Sequence, residues 1–64
     1  MTSIGNIRRA KRFRDLVRSQ GRSFVWVAEK TGYSAGHVTR IARGEHPGTD
    51  KFWRSVQMVL GAVV

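Results

Sequence analysis

Hydrophobic residues recur along this chain at intervals of three and four positions, the spacing that lines one face of an α-helix. The first segment shows it at Ile4, Ile7, Ala10, Phe13, Leu16 and Val17. This pattern predicts a helix over residues 4–19, with arginines along its flanks. Ser3 is a candidate N-cap, and Gly21 follows the predicted end, where a glycine in the left-handed conformation commonly closes a helix.

Two shorter amphipathic segments follow the first helix. One predicts a helix over about residues 24–31, whose inward face carries Phe24, Val27, Ala28 and Thr31. The other predicts a helix over about residues 35–42, whose inward face carries Val38, Ile41 and Ala42. Ser23 and Ser34 are suited to cap these helices, and Gly32 between them permits a positive φ.

The remaining segment reads as a loop followed by one more helix. Residues 43–49, "RGEHPGT", contain two glycines and a proline and predict the loop. Thr49 or Asp50 can cap a helix over about residues 50–60, with an apolar face of Phe52, Trp53, Val56, Val59 and Leu60. No stretch alternates with period two, so we expect a compact all-α domain of four to five helices. The tail, residues 61–64, either contributes to a dimer contact or folds back over the core.

Charge adds a preference for polyanions. The 64 residues, enough for one domain, include 12 Lys and Arg against 4 Asp and Glu, a net charge of +8. Seven of these cations lie between residues 8 and 22, opposed only by Asp15: Arg8, Arg9, Lys11, Arg12, Arg14, Arg18 and Arg22. Such a run fits a solvated helix face as well as a surface for nucleic acid or, less readily, for anionic lipid.

The composition argues against several other classes of protein. Without cysteine there is no disulfide, thiolate metal site or thiol catalysis, and a reducing cytoplasm suits the chain. Two histidines do not favour a metal site, no cofactor is indicated, and Ser34 and His37, one helical turn apart, do not make a catalytic set. The N-terminus lacks an apolar signal region, and the nearly apolar run 56–64 is too short to span a bilayer. We therefore expect a soluble, cytoplasmic protein that is not an enzyme.

Residues 23–44, "SFVWVAEKTGYSAGHVTRIARG", resemble the helix-turn-helix of the Cro and phage-repressor family, also called XRE-like. The motif's apolar, small and turn positions are occupied by Val27, Ala28, Gly32, Val38 and Ile41. The resemblance covers about residues 12–61. It implies a lambda-repressor-like domain that binds double-stranded operator DNA, with its third helix in the major groove and the preceding helix across the backbone.

The resemblance also implies individual roles at the DNA surface. The positions that face bases in the family are occupied here by Ala35, Gly36, Thr39 and Arg40, of which Arg40 can bind guanine with two hydrogen bonds. Positions flanking them or near phosphates are occupied by Arg22, Ser23, Tyr33, Ser34, His37, Arg43, His46, Thr49 and Lys51. Structural roles stay open for several: Ser23 as a simple cap, the loop residues as solvated groups, and Gly36 as a mere weak point of its helix.

The function expected on this basis is a transcription regulator, a Cro-like repressor that occludes an operator near the nucleoid of a bacterial host cell. An architectural or excisionase-like DNA-binding accessory protein is the first alternative. A membrane-active protein whose first helix lies on anionic lipid is the second. Trp26 and Trp53 are expected to pack in the core or against a partner rather than stack on single-stranded bases. The chain is expected to form a weak homodimer, or a monomer that pairs only on DNA.

Overall fold

A computed structural model describes the backbone of residues 4–64 and the side chains of residues 6–64. The described chain forms four α-helices: α1 (Ile4–Ser19), α2 (Phe24–Thr31), α3 (Ala35–Ala42) and α4 (Asp50–Leu60). No strand occurs within this part of the chain. The bounds confirm the helices expected from hydrophobic periodicity and the all-α class. The N-cap proposed at Ser3 lies outside the described residues.

Hydroxyl side chains define where three of the helices begin. Ser23, Ser34 and Thr49 each accept a hydrogen bond from the backbone N–H three residues later. The first N–H groups of a helix have no intrahelical acceptor, so each cap satisfies one of them. The caps expected for α2 and α3 are confirmed. Of the two candidates for α4, Thr49 is the cap, and Asp50 occupies the first helical position, near the positive end of the helix dipole.

A three-residue turn, residues 32–34, joins α2 to α3. Gly32 has a φ of +81°, and its N–H donates to the carbonyl of Ala28 at 2.9 Å. A side chain is strained at this φ, whereas glycine adopts it readily. The turn expected at Gly32 is confirmed, and it brings α3 directly back against α2.

The hydrophobic core lies where the inward faces of the four helices meet. Phe13 of α1 is at its centre, with its ring centroid 5.7 Å from Phe24, 6.1 Å from Phe52 and 5.6 Å from Trp53. Edge-on and tilted arrangements of this kind are favourable for aromatic pairs. No polar or charged residue is buried within the described part of the chain. The core therefore depends on packing, and Phe13 brings α1 into contact with aromatic residues of both α2 and α4.

One residue of the expected α1 stripe lies elsewhere. Ile7, expected on the apolar stripe of α1, is 51% exposed and lies outside the core. The packed face of α1 instead carries Asn6, Ala10, Phe13 and Val17. Asn6 donates from Nδ2 to the carbonyl of Gly44 at 3.1 Å, and the next residue points about 100° away around the helix. The side chain of Ile4, also placed in the stripe, lies outside the described part.

The tail after α4 folds back over the core, the second of the two alternatives expected for it. Val64 is only 5% exposed, and its N–H donates to Oε1 of Gln57 at 3.2 Å. Val63 and Met58 are 90% and 84% exposed, and Val59 is half-buried rather than fully inward. The tail thus completes the core with one side chain.

Candidate nucleic-acid interface

The inward contacts of α2 and α3 fix which side of α3 faces outward. Val38 and Ile41 are fully buried, and Ala28 of α2 is 4% exposed. A small residue at this position allows two helices joined by a short turn to approach closely. The opposite side of α3 carries the residues expected to face bases: the exposed Gly36 and Arg40, and the half-buried Ala35 and Thr39.

These four side chains differ in what they can offer a ligand. Thr39 donates its hydroxyl to the carbonyl of Ala35 at 2.8 Å, which leaves its oxygen as an acceptor and its methyl group. Arg40 is exposed, and its guanidinium has no hydrogen-bond or ion-pair partner among the residues that the structure describes. Gly36 has no atom within 4 Å of the position that a Cβ would take. The hydrogen-bond donors of this face therefore belong mainly to Arg40.

His37 differs from the outward position expected for it. It is half-buried, stacked on Tyr33 with centroids 5.5 Å apart, and it also contacts His46 at 5.1 Å and Phe52 at 6.0 Å. Tyr33 in turn packs edge-on against Phe52 at 5.2 Å. The start of α4 thus supplies an aromatic surface that draws His37 inward. Three residues given separate flanking roles form one row, which supports the first turn of α3.

The loop between α3 and α4 is held by its own contacts. His46 accepts at Nδ1 from the N–H of Gly48 at 3.0 Å. Trp53 donates from Nε1 to the carbonyl of Pro47 at 2.9 Å. These bonds fix the loop so that the exposed residues expected to flank DNA, His46, Thr49 and Lys51, lie on or beside it. Arg43 pairs with Glu45 at 3.6 Å, an exposed contact that is weak in water.

A groove of about 530 Å³ lies between the end of α1 and the start of α2. Its charged lining is made of Arg14, Arg18 and Arg22, beside the α2 cap Ser23. Guanidinium groups bind phosphate strongly, and the N-terminus of a helix also attracts anions. Arg22 and Ser23 were predicted individually to lie near phosphates, whereas the other two arginines were predicted only as members of the basic run. The regular four-residue spacing of the three arginines was the signal that could have found them.

The basic run of α1 is not a uniform solvated face. Arg14 donates to the carbonyl of Ala42 at 2.6 Å, and the Arg9 guanidinium lies 5.2 Å from the ring centroid of Trp53. Lys11 pairs with Asp15 at 3.0 Å, and this hydrogen bond is the main cause that lowers the pKa of the Asp15 carboxyl. Arg9, Lys11 and Arg14 therefore make contacts within the protein, so only part of the basic run is available to an external ligand.

The two tryptophans have different surroundings. Trp53 is 3% exposed in the core, which confirms packing for that residue. Trp26 is half-buried against the core, and the Arg22 guanidinium lies 4.4 Å from its ring centroid. The ammonium of Lys30 lies 5.9 Å from the same centroid. The ring of Trp26 therefore lies beside two cations and is only partly covered by the core.

The described residues also bear on whether the chain could form a metal site or a membrane span. No group of three or more His, Cys, Asp and Glu residues within it is placed to hold a metal ion. In the same residues, no helix combines the length and apolar character needed to cross a membrane.

Comparison with protein-family models, curated proteins and solved structures gives no match for this chain. The likeness to the Cro and phage-repressor family therefore rests on the motif residues themselves.

Proposed function

We propose that this protein binds double-stranded DNA in a sequence-specific manner and regulates transcription by occluding an operator, as a Cro-like repressor does. The observation that carries the proposal is the outward face of α3. Its inward side is fixed by Val38 and Ile41, while Arg40 stands exposed with its donors unused among the described residues. A short helix held in this way, with an exposed arginine whose guanidinium has no partner among the described residues, is suited to insertion into a major groove.

Base readout rests on few side chains. Arg40 recognises guanine through O6 and N7, a bidentate contact that contributes about 1–3 kcal/mol of discrimination. Thr39 offers an acceptor oxygen and a methyl group, and Ala35 offers a methyl group to thymine. Gly36 lets the edge of a base approach the backbone of α3 in the open space beside it. DNA shape supplies the rest of the specificity.

Affinity comes chiefly from phosphate contacts. The groove with Arg18 and Arg22 takes one stretch of backbone beside the N-terminus of α2. His46 in the loop after α3, with Thr49 and Lys51 at the start of α4, contacts a second stretch of backbone. A net charge of +8 favours this electrostatic attachment and makes it salt-dependent.

Occlusion follows from the size of the bound unit. Residues 4–64 form one helical domain, which blocks polymerase or a competing regulator by occupying its site. We place this activity in the cytoplasm of a bacterial host, at the nucleoid. Two copies bind a palindromic site as a weak homodimer, or as monomers that pair on DNA.

Selection of bound duplexes from a random pool tests the proposal. The expected winners share a short motif, arranged as two half-sites about one DNA turn apart. The selected duplex should bind at least about tenfold more tightly than random duplexes. A smaller ratio with firm binding to all duplexes would reject sequence-specific repression in favour of an architectural accessory protein, a role compatible with the small side chains Ala35 and Gly36.

A further inference from the structure

Trp26 on α2 forms a small cluster with Arg22 and Lys30, and of these three residues only Arg22 has a role in the proposed function. Trp26 lies four residues, about one helical turn, before Lys30 on α2, and four residues after Arg22, which precedes the N-cap Ser23. The Arg22 guanidinium is 4.4 Å from the ring centroid, and the Lys30 ammonium is 5.9 Å from it. Both cations are exposed, whereas the ring packs partly against the core.

This cluster differs in kind from the ion pairs of the same protein. Lys11 and Arg43 direct their charge at Asp15 and Glu45. Arg22 instead rests on an uncharged ring and has no acidic partner among the residues that the structure describes. A cation held by a ring keeps its N–H donors and its net charge for another ligand. A cation paired with a carboxylate has its charge offset by that partner.

We infer that Trp26 is a positioning residue for the DNA backbone: its ring holds Arg22, and more loosely Lys30, in place to contact phosphates beside the N-terminus of α2. The inference rests on the proposed DNA-binding function. Arginine and lysine side chains lose considerable rotamer entropy when a contact fixes them. A ring anchored in the core reduces that loss before DNA arrives, which strengthens the phosphate contact without touching DNA.

The same geometry argues against base stacking on Trp26. Stacking requires an open ring face, and here the ring is partly packed against the core while the Arg22 guanidinium lies over it. Duplex DNA, which offers phosphates on its outside, fits this arrangement better than single strands with splayed bases.

A double-mutant cycle on duplex binding tests the inference, with affinities measured by fluorescence anisotropy at fixed low salt. The variants are Trp26→Leu, Arg22→Gln and their combination, with Trp26→Phe as the conservative replacement that keeps an aromatic face. Arg43→Gln combined with Trp26→Leu is the matched control, because that arginine has no contact with the ring. Urea unfolding of each variant gives the folded fraction by which its affinity is corrected.

We expect Trp26→Leu to weaken binding by about threefold, the size of one exposed cation–π contact. Trp26→Phe should restore most of this loss. Combined with Arg22→Gln, the leucine should cost clearly less than it does alone, since one of the cations it would free is already gone. Combined with Arg43→Gln, its cost should be unchanged. A merely structural role for Trp26 predicts full multiplication of effects in both pairs.

Three outcomes of these measurements would contradict the inference. Corrected effects that multiply in the Trp26 and Arg22 pair would overturn the inference while leaving duplex binding intact. Tighter binding to single strands than to duplex, lost in Trp26→Leu, would overturn it in favour of base stacking. If the unmodified protein binds no duplex at low salt, the proposed function fails, and the inference fails with it.

Discussion

The guanidinium of Arg14 donates a hydrogen bond of 2.6 Å to the backbone carbonyl of Ala42, the last residue of α3. Carbonyls at the end of a helix lack intrahelical partners and carry the negative end of its dipole, so a cation there satisfies both. About two turns nearer the start of α1, Asn6 donates from its side chain to the carbonyl of Gly44. The most basic helix thereby fixes the far end of the helix proposed to read DNA.

Removing this contact should destabilise the fold. Arg14→Ala is expected to lower the free energy of unfolding by about 1.5–3 kcal/mol, the range of a hydrogen bond that involves a charged group. Arg12→Ala is the matched control, because it removes the same charge from an exposed position of α1. Urea unfolding compares the two. Equal stabilities would show that the Arg14 bond contributes nothing.

Gly36 offers a test that separates stability from recognition. A Cβ at this position meets no atom within 4 Å, so Gly36→Ala should stabilise the free protein by about 0.5–1 kcal/mol through helix propensity alone. Affinity for the selected duplex should nevertheless fall, because the added methyl group occupies the space where a base edge approaches. Thermal unfolding and anisotropy give the two quantities. Raised stability with unchanged affinity would mean that Gly36 is only a weak point of α3.

The tail should contribute to stability through one residue. Val64→Ala removes two buried carbon atoms from the side chain. It is expected to lower the free energy of unfolding by about 1–2 kcal/mol. Val63→Ala, at a site 90% exposed, should change it by less than about 0.5 kcal/mol. Unfolding at two protein concentrations accompanies the comparison. A larger effect of Val63→Ala that grows with protein concentration would instead place the tail in a dimer contact.

Base and phosphate contacts should respond differently to mutation. Arg40→Ala should relax the preference at one base pair of the selected site, at a loss of about 1–3 kcal/mol there. Lys51→Gln should weaken binding to every duplex alike and reduce the salt slope by about 0.9. Titrations of the selected duplex and of its single-base variants, across salt concentrations, measure both. The reverse pattern would exchange the two assignments.

Local features of this fold were accessible from the sequence. The bounds of α2 and α3, the caps Ser23 and Ser34, and the turn at Gly32 depend on residues within a few positions of one another. Hydrophobic spacing and capping chemistry report such short-range relationships directly.

Contacts between distant segments were not accessible. The bond from Gln20 to the carbonyl of Leu60, at 2.7 Å, joins residues forty positions apart. The inward position of His37 depends on where α4 places Phe52. Ile7 failed for a similar reason, since the periodic stripe of α1 was wider than the surface available to bury it. Helical periodicity predicts which face of a helix is apolar, whereas tertiary packing determines which part of that face is buried.

The central claim is that α3 presents its outward face to DNA, and a ¹H–¹⁵N NMR titration with the selected duplex tests it most directly. The account predicts that the largest amide shifts fall at residues 35–40, with a second group at residues 22–26. Amides of residues 56–64, which include the folded-back tail, should change little. Shifts concentrated on α4 and the tail, with the amides of α3 unaffected, would contradict the claim.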